Sequence, residues 1–183
     1  MLFRLTNLAA FQAQWFLSVL GAAREFAWAG LAFGLGWICV HVWWITASRG
    51  QELASIGFAF AFGLSAETLL ASAGLLEMSG AYHLGVYLVL PPFWLPVLWA
   101  GLGATINHSL GWLSDRYALA TAMGALAGPF AYASAEHLGA VHINGPVGLF
   151  AVSAMYAVAT PAMLAVAQRA RRDSTSMRIE AAQ

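Results

Sequence analysis

Residues 53–76 read LASIGFAFAFGLSAETLLASAGLL and contain a single charged side chain, that of Glu67. About 20 apolar residues in a helix cross the hydrocarbon core of a bilayer, so this stretch predicts a membrane span. Five further stretches have a similar length and composition. The six predicted spans cover residues 5–23, 26–46, 53–76, 94–113, 118–138 and 147–168. The predicted fold class is therefore an all-α integral membrane protein, a six-helix transmembrane bundle.

The composition of the whole chain also predicts a membrane protein. Hydrophobic residues make up 61% of the 183 residues and charged residues 9%, whereas soluble domains have about 45–50% and about 25%. The acidic and basic residues number eight each, and every basic one is an arginine. With no net charge, no nucleic-acid partner is predicted. The single cysteine, Cys39, excludes a disulfide framework and any multi-cysteine redox or metal motif.

The arginines determine the predicted orientation. With the N terminus inside, seven of the eight lie on the cytoplasmic side, namely Arg4, Arg49, Arg116, Arg169, Arg171, Arg172 and Arg178, and only Arg24 lies outside. This distribution follows the positive-inside rule and places both termini in the cytoplasm. We therefore expect residues 1–168 to form one transmembrane domain. Residues 169–183 are expected to form a flexible basic tail that is attracted to anionic lipid.

Two stretches depart from a plain apolar helix. Asn7, Gln12 and Gln14 interrupt the first one, which favours a retained helix over a cleaved secretory signal. Residues 82–90 are apolar but too short to span a bilayer, so we expect them at the outer membrane interface. Trp99 follows near the outer end of the fourth predicted span, where a belt of aromatic side chains is expected.

Polar and small side chains recur at helical spacing inside the predicted spans, as at Gly63 and Glu67 or at Gly128 and Tyr132. Polar groups in lipid need partners, and small residues let helices approach closely. We therefore expect the polar side chains to face a common interior. Its predicted lining residues are Glu67, Tyr132, His41, Asn107, His108, Gln14 and Glu136. The glycine-rich helix faces would also suit contact with a second copy of the chain or with another membrane protein.

Depth along the helices divides these polar side chains into two layers. With a rise of about 1.5 Å per residue, Glu67 and Tyr132 each lie about 21 Å from the cytoplasmic start of their helices. They are predicted to form an outer layer with Glu136. Asn107 and His108 lie about 20 Å below the outer surface, so they are predicted to form an inner layer with His41.

Glu67 is the only charged residue well inside a predicted span. Such a carboxyl could carry a proton, ligate a cation or contact a substrate, or it could fix helix packing through a hydrogen bond. The histidines of the inner layer could ligate a metal, but no spacing typical of a metal site is present, so hydrogen bonds between helices are favoured. No metal site, cofactor or catalytic residue is assigned.

A proline in the fifth predicted span leaves one backbone carbonyl without its usual hydrogen-bond donor. Pro129 has no N–H to donate to the carbonyl of Ala125. In lipid such a carbonyl must be satisfied by another group, so we expect a neighbouring helix to provide the donor.

Several motifs occur in an order that is more specific than any one of them. These are Glu67 with Leu69-Leu70 and Gly74-Leu75, Pro92-Phe93-Trp94-Leu95, Asn107-His108-Ser109-Leu110, and Gly128-Pro129 with Ala131-Tyr132. In this order the chain resembles the DUF2878 family of bacterial inner-membrane proteins over residues 7–166. That family often has aspartate where this chain has Glu67. The resemblance implies the fold and the inner-membrane location, and some relatives are labelled zinc or manganese permease-like. It also implies an association with enzymes of membrane-lipid modification.

Three functional hypotheses follow. In the first, the protein is permease-like or binds a small polar, cationic or lipid-derived ligand in its polar interior. In the second, it is a non-transporting accessory protein of membrane-lipid metabolism whose polar contacts are structural. In the third, it is an integral-membrane enzyme that acts on a lipid or isoprenoid. The chain lacks serine-hydrolase, zinc-protease and phosphate-loop motifs, which favours the first two. Membrane lipids are the predicted partners.

Overall fold

The computed structural model describes residues 2–46 and 48–180, most of which are helical. The α-helices are α1 (Leu2–Ala23), α2 (Trp28–Val40), α3 (Arg49–Ser72), α4 (Trp94–Ile106), α5 (Tyr117–His137) and α6 (Gly145–Glu180). A π-helical turn, His41–Ile45, extends α2, and a 3-10 turn, Gly111–Leu113, follows α4. The short strands are β1 (Leu76–Met78), β2 (Tyr82–Leu84), β3 (Leu88–Leu90) and β4 (Val141–Ile143). The prediction of a mainly helical chain is confirmed.

Side-chain hydrogen bonds show that α1 and α4, α3 and α4, and α5 and α6 are antiparallel pairs. On α1, Asn7 Nδ2 donates to the carbonyl oxygen of Ala104 at 3.1 Å. Two turns further on, Gln14 Nε2 donates to the carbonyl oxygen of Val97 at 2.9 Å, so α1 and α4 point in opposite directions. Bonds between α3 and α4 and between α5 and α6 show the same relation. As a result, the start of α1 and the end of α6 lie at the same end of the bundle.

The two ends of the bundle differ in charge and in structure. The end that we call the arginine end holds Arg4, Arg49, Arg116 and Arg171. There, Ser109 Oγ donates to the carbonyl oxygen of Arg4 at 2.7 Å, and Arg171 Nη2 donates to Ser114 Oγ at 3.2 Å. The opposite end, which we call the strand end, holds Arg24 and the strands β1 to β4. This is the segregation of arginines that the sequence predicts.

Two small antiparallel sheets cover the strand end. β1 pairs with β4, with Leu76 opposite Ile143. β2 pairs with β3, with Tyr82 opposite Leu90. Ser72, the last residue of α3, accepts a hydrogen bond from the backbone N–H of Val89 at 3.0 Å. The segment 82–90 is therefore a hairpin attached to the end of α3, rather than a single apolar stretch.

α4 is the central helix of the bundle. Every one of its residues except Leu102 is buried, and it contacts α1, α2, α3 and α6. α5 packs chiefly against α6. Because α1 and α5 lie on two sides of α4 without packing against each other extensively, a crevice remains between them.

Several helix boundaries differ from the predicted spans. α4 ends at Ile106 and not at residue 113, because the chain turns there and directs Asn107 and His108 towards α3. α3 begins at Arg49 and not at residue 53. The predicted flexible tail is helical as far as Glu180, since the residues after Gln168 continue α6 without a break. Residues 181–183 of that tail lie outside the described residues.

Two helices are long and apolar enough to cross a bilayer on length and composition. They are α3, over Arg49–Ser72, and the Gly145–Ser174 part of α6. The apolar stretches Trp28–Trp43 and Trp94–Ile106 are shorter. A helix of 13 residues such as α4 is about 20 Å long, which is less than the thickness of a hydrocarbon core.

Candidate functional site

The carboxyl group of Glu67 joins three helices in the interior of the bundle. Glu67 lies on α3 and is fully buried. Its Oε1 accepts a hydrogen bond from Trp99 Nε1 on α4 at 2.9 Å, and it also accepts one from the hydroxyl of Tyr132 on α5. The prediction that Glu67 and Tyr132 share a layer is therefore confirmed. We call Glu67, Trp99 and Tyr132 the carboxyl cluster.

Gly63 and Gly128 allow the helices around the carboxyl cluster to approach each other closely. Each lies one helical turn before a member of the cluster. A Cβ on Gly63 would collide with the indole of Trp99, so only a residue without a side chain lets α4 lie so close to α3. On α5, a Cβ on Gly128 would collide with the ring of Tyr156 on α6. The rings of Trp99 and Tyr156 are in turn 4.7 Å apart between centroids. The small residues at helical spacing therefore position the aromatic rings around Glu67.

Trp99 was expected in an aromatic belt at the outer interface, and this expectation is wrong. Its side chain is buried, with 2% of its surface exposed. The indole N–H needs an acceptor when it is buried, and Glu67 supplies one. In a single sequence, a tryptophan near a helix end is equally compatible with either position.

The two carboxyl oxygens of Glu67 differ in their hydrogen bonding. Among the described residues no donor lies within hydrogen-bonding distance of the buried Oε2. Buried polar atoms without a partner are uncommon and costly in native proteins. The carboxyl cluster can therefore accept one more hydrogen bond at this atom.

A large apolar crevice has two members of the carboxyl cluster in its wall. It lies between α1, α4, α5 and α6 and has a volume of about 810 Å³. Most of its walls are aromatic or aliphatic, with Phe11, Trp15, Leu98, Met123, Phe130 and Met163 among the lining side chains. Trp99, Tyr132 and Tyr156 also line it. Glu67 lies behind this wall, so its effect on the crevice passes through the two side chains that it binds.

A second buried cluster, which we call the histidine cluster, lies at the arginine end and consists of His41, Glu52 and His108. Glu52, in the first turn of α3, has its Oε2 at 3.1 Å from His41 Nε2 and its Oε1 at 3.0 Å from His108 Nε2. His41 begins the π-helical turn after α2, and His108 follows the end of α4. The two imidazole rings are 5.0 Å apart between centroids and nearly perpendicular. The expectation that His41 and His108 lie in one inner layer is confirmed.

Glu52 is a functional candidate that the sequence analysis does not identify, because it precedes the third predicted span, which begins at residue 53. The buried residues of α3 show the signal that could have found it. They are Glu52, Ser55, Ile56, Ala59, Gly63, Glu67 and Ala71, so the stripe through Gly63 and Glu67 continues at helical steps back to residue 52. A charged residue on the buried stripe of a helix predicts a partner inside the fold.

The remaining predicted lining residues have separate contacts. Asn107 Nδ2 donates to Ser55 Oγ at 3.1 Å, next to the histidine cluster. Gln14 lies between α2 and α4, where it is bonded to Val97, and is not a crevice residue. Glu136 does not join Glu67 and Tyr132. Its Oε1 accepts from the backbone N–H of Ile143 at 2.8 Å and lies 3.0 Å from His142 Nδ1, which connects α5 to β4.

The carbonyl freed by Pro129 has the expected partner. Ser153 Oγ on α6 donates to the carbonyl oxygen of Ala125 at 2.8 Å. The proline of α5 therefore creates an additional contact between α5 and α6, as predicted.

No curated protein and no solved structure matches this chain significantly. A family model described as "Protein of unknown function (DUF2878)" matches residues 4–162. The matched range includes the carboxyl cluster, the walls of the crevice on α1, α4 and α5, and the three residues of the histidine cluster. The chain therefore belongs to the DUF2878 family, as its motifs indicate.

Proposed function

We propose that the protein is a six-span integral membrane protein of the bacterial inner membrane, with the arginine end in the cytoplasm. Two observations support this proposal: successive helices alternate in direction, and most of the arginines lie at one end of the bundle. Large apolar side chains such as Leu126, Phe130 and Phe150 are exposed on the outside of the bundle, where lipid would cover them. α4 is short, but it is buried along almost its whole length between the helices that it contacts, which would keep lipid away from its backbone.

We further propose that the crevice binds a lipid-derived ligand with an apolar chain. The observation that carries this proposal is an apolar space of about 810 Å³ with the carboxyl cluster at its wall. Ligand sites typically have about 300–1,000 Å³ and are mainly apolar, with a few polar groups that orient the ligand. Two of its lining residues, Ala127 and Phe130, are exposed on the outside of the bundle, so a hydrocarbon chain could enter it sideways from the membrane.

The carboxyl cluster gives this site its polar selectivity. Tyr132 and Trp99 each present an aromatic face to the crevice while donating their polar hydrogens to Glu67. A ligand hydroxyl or amine that reached this wall could donate to the hydroxyl oxygen of Tyr132, whose own hydrogen is donated to Glu67. The crevice therefore suits a molecule with one polar donor group and a long apolar part. A permeant metal ion would find only apolar side chains along most of its walls.

Retention of lipid after purification tests this function. The Ala127→Trp variant fills the crevice, because Ala127 lines it. The Ala154→Trp variant is the matched control, since Ala154 is also exposed on the bundle but is not a lining residue. Wild type and both variants are purified in detergent from bacterial membranes, and the lipid molecules bound per chain are counted by native mass spectrometry.

The expected result is about one tightly held lipid per wild-type chain, retained in Ala154→Trp and lost in Ala127→Trp. Equal retention in the two variants, or no retained lipid in the folded wild type, would overturn the proposal. Circular dichroism and thermal unfolding confirm that each variant is folded before the lipids are counted.

A further inference from the structure

The histidine cluster has the form of a metal site, and it is separate from the crevice. His41, Glu52 and His108 each offer one ligand atom, and these atoms all lie within 4.8 Å of one another. None of the three residues lines the crevice. They come from three different parts of the chain, which are held together by the packing of α3 against α4 and against the turn after α2.

Two of the distances between the side-chain atoms of the cluster are close to those that one ion imposes. Two ligand atoms bound about 2.0 Å from a tetrahedral ion are about 3.3 Å apart. The carboxylate oxygens of Glu52 lie 3.0 and 3.1 Å from the two Nε2 atoms. The two short distances involve different carboxylate oxygens, so rotations of these side chains would direct one atom of each residue at a common ion.

Burial and charge favour a cation at this place. His41 is fully buried, and Glu52 is 2% exposed. A buried carboxylate needs a positive partner, but neutral imidazoles supply only hydrogen bonds. Among the described residues Glu52 has no arginine partner. Either a proton on one histidine or a bound cation must therefore balance its charge.

One member of the cluster reaches the surface of the bundle. The side chain of His108 is 19% exposed, whereas the other two members are enclosed. An ion could therefore reach the three ligands from the arginine end past His108.

We infer that His41, Glu52 and His108 form a binding site for a divalent first-row transition metal ion. Imidazole nitrogens with one carboxylate are ligands that suit Zn²⁺ and Fe²⁺. The set contains no thiolate, because the single cysteine, Cys39, lies exposed on α2 and is not part of the cluster. Three protein ligands leave at least one position open, which is the arrangement of metal sites that bind an exchangeable ligand.

Cobalt and zinc binding to the full-length protein test this inference. The purified protein is treated with a chelator and then titrated with Zn²⁺ by calorimetry and with Co²⁺ by absorption spectroscopy. We expect one ion per chain, with Co²⁺ bands of nitrogen and oxygen coordination and no sulfur charge-transfer band. The variants are His41→Ala, His108→Ala and Glu52→Gln. Each should weaken Zn²⁺ binding at least tenfold, since each removes one ligand.

The control variant is His142→Ala, which breaks the pair formed by His142 and Glu136, the other histidine–carboxylate pair seen in the described residues. It should bind Zn²⁺ like the wild type. Two results would overturn the metal site in favour of a protonated His–Glu pair. One is Zn²⁺ binding that is unchanged in His108→Ala and Glu52→Gln, and the other is the absence of stoichiometric Zn²⁺ binding to the folded wild type. Because Ala127→Trp blocks only the crevice, its Zn²⁺ affinity separates failure of this site from failure of the lipid site.

Discussion

Gly63 and Trp99 are in contact across α3 and α4, with the indole lying where a side chain on residue 63 would stand. This contact sets the distance between the two helices and brings the indole N–H to Glu67. The close approach of α3 and α4 therefore determines how these helices pack and also allows the hydrogen bond between Trp99 and Glu67.

Replacing Gly63 by alanine should destabilise the protein, because the new methyl group pushes the indole away from Glu67. Overpacking of this kind typically costs about 1–3 kcal/mol. Gly57→Ala on the same helix is the control, since a Cβ there meets no other atom. It should leave the free energy of unfolding unchanged or raise it slightly, because alanine favours helix. The free energy of unfolding of each variant is measured in mixed detergent micelles. Equal free energies for Gly63→Ala and Gly57→Ala would contradict the contact between Gly63 and Trp99.

Replacement of Glu67 by leucine should destabilise the protein more than replacement by glutamine. Leucine leaves Trp99 Nε1 and the hydroxyl of Tyr132 without an acceptor, at about 1–3 kcal/mol for each buried donor. Glutamine keeps one acceptor oxygen and should therefore retain most of the stability. If Glu67 orients a ligand, Glu67→Gln should nevertheless reduce the lipid retained per chain.

The exposed Glu77 provides the control for both substitutions. Glu77→Leu and Glu77→Gln should change stability little. If Glu67→Gln loses both stability and bound lipid, the result favours the alternative in which the polar contacts only hold the helices together. If it keeps its stability but loses the lipid, the result supports the binding site.

The bond from Ser153 to the carbonyl of Ala125 should depend on Pro129. In the wild type, Ser153→Ala leaves that carbonyl without its donor, which should cost about 1–3 kcal/mol. In a Pro129→Ala background, the restored N–H can bond to Ala125 within the helix, so Ser153→Ala should cost much less. A double-mutant cycle with unfolding free energies measures this coupling. Additive effects of the two substitutions would contradict it.

Thiol labelling should place the two ends of the bundle on opposite sides of the membrane. The background is Cys39→Ala, which removes the only native thiol. Tyr87→Cys lies in an exposed position at the strand end, and Asp173→Cys is exposed near the arginine end. A membrane-impermeant reagent should label residue 87 in cells whose outer membrane is permeabilised, and residue 173 only after the inner membrane is opened. The reverse pattern would exclude the proposed orientation.

The sequence predicts those relationships that depend on regular helix geometry. Glu67 and Tyr132 were expected at the same depth because the rise per residue of a helix is constant, and they are bonded. His41 and His108 were expected together for the same reason. The partner of the Ala125 carbonyl was expected because proline removes a specific donor.

Features that depend on helix ends and on packing between helices were not predictable in the same way. Glu52 was missed because α3 begins before the predicted apolar run, at Arg49. The contact of Glu136 with β4 was not predictable, because the three residues of that strand have no distinctive pattern. The crevice results from the separation of α1 and α5, and periodicity within one helix carries no information about the distance to another.

The pairing of β1 with β4 has a consequence for how the protein is made. Leu76 and Ile143 are neighbours in space, but α4 and α5 lie between them in the chain. While the ribosome is still synthesising α5, β1 has no strand to pair with, so the early helices must be held by contacts within themselves. Completion of β4 then closes the strand end immediately before α6 is synthesised. The last helix, α6, would therefore be added to a bundle whose strand end is already joined by the β1–β4 pair. A chain truncated before residue 141 should lack this pair.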